Sequence, residues 1–524
     1  MARARQQQKI IVVGGGVAGL TAAAYLAKAG HPVTLLERSE EVGGALTALR
    51  KDGYQWDLGP RMVEAFAPGE PGGRILKELG IQKHVALEPA DRGVVFPDFD
   101  LRKPSSLSEA DWPRRRLATL FPFEREGLES YFRYHEQAWR WHTRRVTREL
   151  RGAFSHSPVV SGRRRPPKEI RTREHWSAQR LLDHFLVDPR LKAAFACPLM
   201  YRGVLASELP ASYLPLLNAE TRFDARLLGA SRVRWRPSYH FLRDGGNSLT
   251  NAIAEVVREH GGRIYTGAHV ERILVDEDRV RGVQLEGGHV ESARVVIATG
   301  GARETFFELV GRGYLPLGFG YRIDTLQVTS SAFAVHLGVD FDPSPYQSDP
   351  LVYYCMTYDV EGAVHGCRSG AFHEGRDGFA VFIPSLFAQG LAPGGHHVLS
   401  IVTFAPNTLE GEGWQKRGRE LARTLVSLAE SVFPGLQEHI VTRVIMTPDD
   451  LQERTGQRCH AVWGVAPVLG QEGLGYETPI GGLWFVGSQS RSGGGILQVM
   501  IGARQAVRMI LARSSTRFGR RWLR

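Results

Sequence analysis

Cysteine is scarce: there are four in 524 residues, Cys197, Cys355, Cys367 and Cys459, with no C-x-x-C spacing among them. That scatter excludes a zinc-thiolate site and a disulfide framework, and it fits a reducing cytoplasm. Long apolar runs are missing too: beyond Ala27 no stretch resembles a membrane span. Acidic charge is in deficit, with 55 Asp and Glu against 66 Lys and Arg, a formal +11 and a pI near 9.6. The excess sits in arginine patches at residues 114–116, 144–151, 163–165 and 517–524. Such patches suit an anionic lipid surface, or simply form a solvated face. No nucleic-acid module accompanies the charge, which argues against a nucleic-acid partner. What remains, 43% hydrophobic and 23% charged, is the composition of a globular protein too long for one core, so two domains are expected.

The chain is organised around residues 9–37, KIIVVGGGVAGLTAAAYLAKAGHPVTLLE. Residues 10–13 form a β-branched run suited to a strand buried on both faces, residues 17–28 a small-residue helix ending at Gly30, and residues 33–36 a parallel return strand. Gly14, Gly16 and Gly19 match G-x-G-x-x-G. The first permits the tight turn, the second lets a pyrophosphate approach the backbone, and the third lets helix pack on strand. Val17 and Ala18 then open a helix whose free N–H groups face the phosphates. Glu37 ends the second strand, where a carboxylate accepts from a ribose diol and repels a 2′-phosphate. The same apolar stretch behind the basic start MARARQQQK superficially resembles a signal peptide. Gly14-Gly15-Gly16 would weaken such a helix, and Glu37 falls where a ribose ligand belongs, so dinucleotide binding is the better reading.

Beyond Arg38, Gly43-Gly44 would let the backbone pass close beside a cofactor. Asp52-Gly53 signals a hairpin, closed by Asp57-Leu58-Gly59-Pro60. With these features in place, the sequence resembles the flavin-dependent phytoene desaturase family, related to the amine oxidases: a Rossmann glycine motif, an acidic end to the second strand, a GG doublet, then a D-x-GP segment beside the flavin. The resemblance implies FAD rather than NAD. Two positions depart from the family pattern, Ala45 after the doublet and Arg61 after the Gly-Pro. Arg61 is read either as a positive charge near the isoalloxazine or a polar substrate end, or as a structural ion-pair partner.

Downstream, residues 123–151 read as one long helix, its Tyr131, Phe132, Tyr134, Trp139 and Trp141 interleaved with arginines. Such a helix suits either a membrane interface or a substrate-domain core. Residues 155–173 look like a mobile loop, and 181–196 a helix broken at Pro198. The apolar segment after it resembles the family's substrate channel. Residues 244–300 return to the cofactor domain, and there Val270 matches the residue whose backbone meets the adenine. Residues 331–339, 379–384 and 397–406 read as strands and 414–433 as an amphipathic helix. Near the end, residues 482–487 form a strand leading through Gly487 and Ser488 to residues 492–501, SGGGILQVMI, a glycine-rich helix start. Its N–H groups and dipole suit the negative charge of a reduced flavin. By resemblance, Ile496 and Leu497 meet the ring and Gly495 belongs to the same cofactor-binding turn, while Gln498 stands where glycine is frequent.

The expected fold is α/β: a discontinuous Rossmann-type FAD-binding domain (residues 1–100, 244–305 and 450–512), an inserted α+β substrate domain (101–243 and 306–449), and a basic tail (513–524). By resemblance the expected activity is flavin-dependent desaturation of a carotenoid or related long polyene, collected from a membrane by peripheral contact. A carotenoid isomerase, an amine oxidase and a non-catalytic flavoprotein carrier are the alternatives. No metal site is expected, and no proton acceptor is singled out; Glu64 and His460 are candidates.

Overall fold

The computed structural model describes residues 9–59, 61–90, 92–102, 112–151, 165–218, 239–457 and 461–517. Its first sheet is five-stranded and parallel, in the spatial order Leu483–Phe485, Val295–Ala298, Ile10–Val13, Val33–Leu36, Arg263–Tyr265. Three distant parts of the chain therefore meet in one sheet. Ile10 pairs with Val33 on one side and Val295 on the other, so the strand order reverses at the first strand. The crevice at the carboxyl ends there is where such sheets take ligands.

Alternation along these strands sorts the two faces. Ile10, Val12, Leu35 and Ile297 join a core with the helix Val17–Lys28. Ile11, Leu36, Val296 and Phe485 face a three-stranded antiparallel sheet of Val270–Asp276, Arg279–Leu285 and Val290–Ser292. The helix Val17–Lys28 is buried from Val17 to Ala27 between the helices Gly246–Glu259 and Ile496–Arg517. Its alanines and glycine allow that close approach on every side. The fully buried Arg504 pins the last helix to Pro71–Leu79, its Nε 2.7 Å from Glu78 Oε2.

The second large sheet runs in the order Ile440–Met446, Ser331–Val339, His397–Ala405, Gly378–Phe382, Leu351–Cys355, Arg92–Val95, antiparallel except for the last pair. Phe333, Val335, Leu337 and Val339 pack on the amphipathic helix Trp414–Ala429. The opposite face, with Ala332, His336, Ser400, Val402, Ala380 and Tyr353, is left to floor a cavity.

Several expected elements shift at their ends. The helix expected over 181–196 is two, Ala178–Phe185 and Pro189–Ala196, because Asp188 caps the second by accepting from Arg190 N and Pro189 occupies its first turn. The helix expected over 414–433 stops at Ala429, and the last helix begins at Ile496. The hairpin holds: Asp52 and Gly53 both take positive φ, 52° and 81°, the conformation a two-residue type I′ turn requires. The long helix spans Arg125–Arg151, and Tyr131, Phe132 and Tyr134 are buried. Its aromatic stripe is core, not an outward face. Most of the loop expected over 155–173, the arginine patches at 163–165 and 517–524 apart from Arg165 and Arg517, and His460 lie outside the described residues. Among the described residues no helix is long and apolar enough to cross a membrane.

Candidate cofactor site and substrate cavity

A cavity of about 1230 Å³ begins at the carboxyl ends of the parallel sheet and continues over the second sheet. Its first part is backbone. Gly14 holds φ +103°, and a Cβ there would lie 2.2 Å from Thr299 Oγ1. At Gly19 a Cβ would fall 2.0 Å from the Gly14 carbonyl oxygen, whereas at Gly16 it would meet nothing within 4 Å. Gly14 and Gly19 are thus fixed by protein, and Gly16 leaves room on the cavity side for a bulky group. The doublet is tied to this turn: Gly43 N donates to Gly15 O at 2.9 Å, and a Cβ on Gly44 would stand 3.3 Å from Gly16 Cα.

Glu37, 8% exposed, accepts from Gly15 N at 2.6 Å and Ser39 N at 2.8 Å. Both oxygens are anchored by the backbone, so the carboxylate is held still, with lone pairs left for a diol. Arg38 reaches across to the carbonyl of Glu453, joining the cofactor side to the helix Pro448–Thr455. Val270 lines the cavity beside Ala268 and His269. From the other end of the chain come Gly487, at φ +114°, Ser488, and the turn at Gly495, at φ +109°, which opens the helix at Ile496 and Leu497. The first-turn amides of such a helix have no intrahelical acceptor and point outward along its axis.

Gly14, Gly16, Val17, Ala18, Glu37, Arg38, Gly43, Gly44, Gly59, Arg61, Val270, Gly487, Ser488, Gly495, Ile496 and Leu497 all line this one cavity. Gly19 stands behind it as a packing residue, and Pro60 lies outside the described residues. The backbone cradle at Gly16, the anchored acid and the helix opening at Ile496 suit the pyrophosphate, ribose and ring of FAD respectively.

Where the cavity crosses the second sheet its lining changes to side chains. The floor is Ala332, Leu351, Tyr353, Ala380, Phe382, Val402 and Phe404, and the far end is walled by Tyr201, Tyr213, Leu216, Leu217 and Trp139. Tyr201 and Tyr353 meet edge-on, centroids 5.1 Å apart. Burial pushes the Tyr201 hydroxyl and the neighbouring Cys197 thiol well above their usual ranges, so both stay protonated. One polar pair interrupts the floor: His336 Nδ1 lies 2.8 Å from Ser400 Oγ, and burial lowers the imidazole to about 4, keeping it neutral near pH 7. Sequence reasoning missed Thr299, whose Oγ1 donates to Val13 O and which crowds Gly14, and it missed the His336–Ser400 pair. The face of a strand on which a residue lies is legible from alternation; what that face meets is not.

A family model described as flavin containing amine oxidoreductase matches residues 17–304, and one described as FAD dependent oxidoreductase matches residues 169–509. Among curated proteins, 4,4'-diapophytoene desaturases (4,4'-diaponeurosporene-forming) of Staphylococcus aureus are 23% identical over 95% of this chain and 98% of their own, in strain COL among others. Among solved structures, an oxidoreductase from Methanosarcina mazei shares 19% identity at a TM-score of 0.59, covering 95% of this chain and 99% of that one. Putrescine oxidase bound to putrescine shares 15% at 0.61, covering 97% and 100%. These structures show the fold. The chain belongs to the flavin-containing amine oxidoreductases, as an FAD-dependent, carotenoid-desaturase-like member of that superfamily.

Proposed function

We propose that this enzyme desaturates a long polyene of the carotenoid type. One observation carries the reading: the cavity that begins at the glycine turns continues, without a partition, over a floor of Ala332, Val402, Ala380, Tyr353 and Phe404. A floor of that composition binds hydrocarbon by area and excludes water. Curated relatives named as diapophytoene desaturases, matched over nearly the whole chain, favour the same substrate class.

FAD, when bound, supplies the two-electron oxidation. The chain's own contribution is placement. The turns at Gly14–Gly16 and Gly43–Gly44 would hold the pyrophosphate side, Glu37 the ribose, Val270 the adenine, and Gly59 and the Gly495–Leu497 turn the ring. The sheet floor would lay the polyene across the ring with the reacting carbons dry. The test is to incubate the purified flavoprotein anaerobically with a panel of carotenoids in liposomes. Loss of flavin colour together with longer conjugation of the product supports the reading. Peroxide released from a polar amine would support the amine oxidase reading, which the putrescine oxidase fold favours. Isomerised product from pre-reduced enzyme would support a carotenoid isomerase, and ligand bound with no change in flavin colour would support a carrier.

A polyene has to be collected from a bilayer. The docking face in this reading is led by Phe123, fully exposed, and Val187, 83% exposed. Glu124 Oε1 accepts from Val187 N at 2.7 Å, which holds the short 3-10 turn bearing Phe123 beside the loop bearing Val187, and Arg125 follows at the start of the long helix. Apolar tips beside arginine suit peripheral insertion into anionic lipid.

A further inference from the structure

Arg61 is fully buried, yet only part of its guanidinium is satisfied. Nε donates to Asp57 Oδ2, while Nη1 and Nη2 have no hydrogen-bond partner among the described residues. Phe241 lies under the guanidinium, 5.4 Å from ring centroid to Cζ, and offers no lone pair. Asp57 cannot turn to help, because its Oδ1 accepts from Gly246 N at 2.9 Å and fixes the start of the helix Gly246–Glu259. Space around the pair is tight: a Cβ on Gly245 would fall 2.7 Å from Asn247 Oδ1, 3.1 Å from Nη2 and 3.2 Å from Asp57 Oδ1, and Asn247 Oδ1, buried without a partner, makes no hydrogen bond to Arg61.

A buried cation with two unanswered donor groups is costly, so an acceptor is expected from whatever fills the cavity that Arg61 lines. Two occupants compete for that role. A hydrocarbon substrate, on the reading given above, carries no acceptor. The flavin ring carries carbonyl oxygens and ring nitrogens, and Arg61 is two residues from Gly59, where a Cβ would lie 2.2 Å from the Ala45 carbonyl oxygen at the edge of the glycine doublet. Ala45 itself is uncharged, so on this side of the cofactor segment the positive charge comes from Arg61.

We propose that Arg61 donates through Nη1 and Nη2 to the flavin ring and favours the negative charge the ring gains on reduction, with Asp57 attenuating that charge. The Asp57–Arg61 pair would thereby set how strong an oxidant the flavin is. The effect is electrostatic, from a guanidinium with no exposed surface, where a single charge weighs heavily.

Sulfite titration of the holoenzyme tests this, because sulfite adds to oxidised flavin and leaves it negatively charged; no polyene is needed, so the result stands apart from the substrate reading. Arg61→Gln should weaken sulfite binding at least tenfold, equivalent to a two-electron midpoint potential about 30 mV lower. Arg61→Lys should recover part of the loss. Asp57→Asn should move both readouts the opposite way, a reversal that a purely structural pair would not give. Should Arg61→Gln fail to fold, Arg61→Lys and Asp57→Asn decide the matter, and where wild type forms no adduct the midpoint potentials do. Unchanged affinity and potential in the folded variants overturns the proposal. So does an unchanged flavin accompanied by a raised KM for polyene, which would reassign Arg61 to the substrate.

Discussion

The two halves of the cavity are built in opposite ways. At the cofactor end the wall is main chain, and its shape is enforced by contacts of 2.0–2.2 Å that any Cβ on Gly19 or Gly14 would make. Over the second sheet the wall is side chain, set by the pairings Ala334↔Val402, Ala380↔Val402 and Tyr353↔Ala380. A main-chain wall tolerates almost no change and recognises what is common to all dinucleotides. A side-chain wall can be reshaped residue by residue, and on the proposed function that is where substrate choice would reside.

The contrast breaks most severely at Gly19. Gly19→Val should abolish FAD binding and cost about 3 kcal/mol or more of stability, since the branched side chain would overlap the Gly14 carbonyl; the flavin-to-protein absorbance ratio and a thermal melt would report both. Flavin retained at full occupancy would mean that this turn yields more readily than its contacts indicate.

Ala380→Trp sits on the other side of the comparison. Filling the floor should lower kcat/KM for the polyene about a hundredfold, about 3 kcal/mol of transition-state binding, while the flavin spectrum stays as in wild type. A similar loss of flavin would show that the two halves are not independent.

Acid should separate the halves next. Burial lowers His336 and His373, both in the second-sheet unit, to about 4. A histidine whose folded pKa lies below its unfolded value of about 6.5 gives stability that is fully present above pH 6.5 and is lost as pH falls toward 4. Each should cost about 2–3 kcal/mol between pH 7 and pH 4.5. His336→Asn should flatten that slope by its share, as read from urea unfolding at the two pH values.

The smallest effect belongs to the outer surface. Phe123→Ser with Val187→Ser should halve or further reduce flotation with anionic liposomes at low salt, and leave stability within about 0.5 kcal/mol because both side chains are exposed. Undiminished flotation would move the docking face elsewhere.

Legibility followed the same division. The first strand, glycine turn and helix were readable because three glycines at fixed intervals admit few backbone paths, and the structure sets Gly14 and Gly16 on a shared cavity with Glu37 and the distant Gly495 turn, with Gly19 packed behind. Alternation showed that residues 331–339 form a strand, and Asp52-Gly53 showed its hairpin. The break at Asp188-Pro189 is written in the sequence as a cap followed by proline, the signal that opens a new helix. The aromatic residues of the long helix could equally have faced lipid; only packing against Phe185 and Phe195 places Tyr131 inside.

By itself, then, the sequence determined a strand, glycine turn and helix with a carboxylate just after the next strand, because backbone sterics and residue spacing are local properties. Tertiary structure alone decided that the cradle opens onto an apolar floor, and that His336, Ser400 and Arg61 line the cavity it begins. Those placements come from pairing strands between about 60 and 260 residues apart, and a side chain's neighbours across such a sheet are fixed by register rather than by anything adjacent to it in the chain.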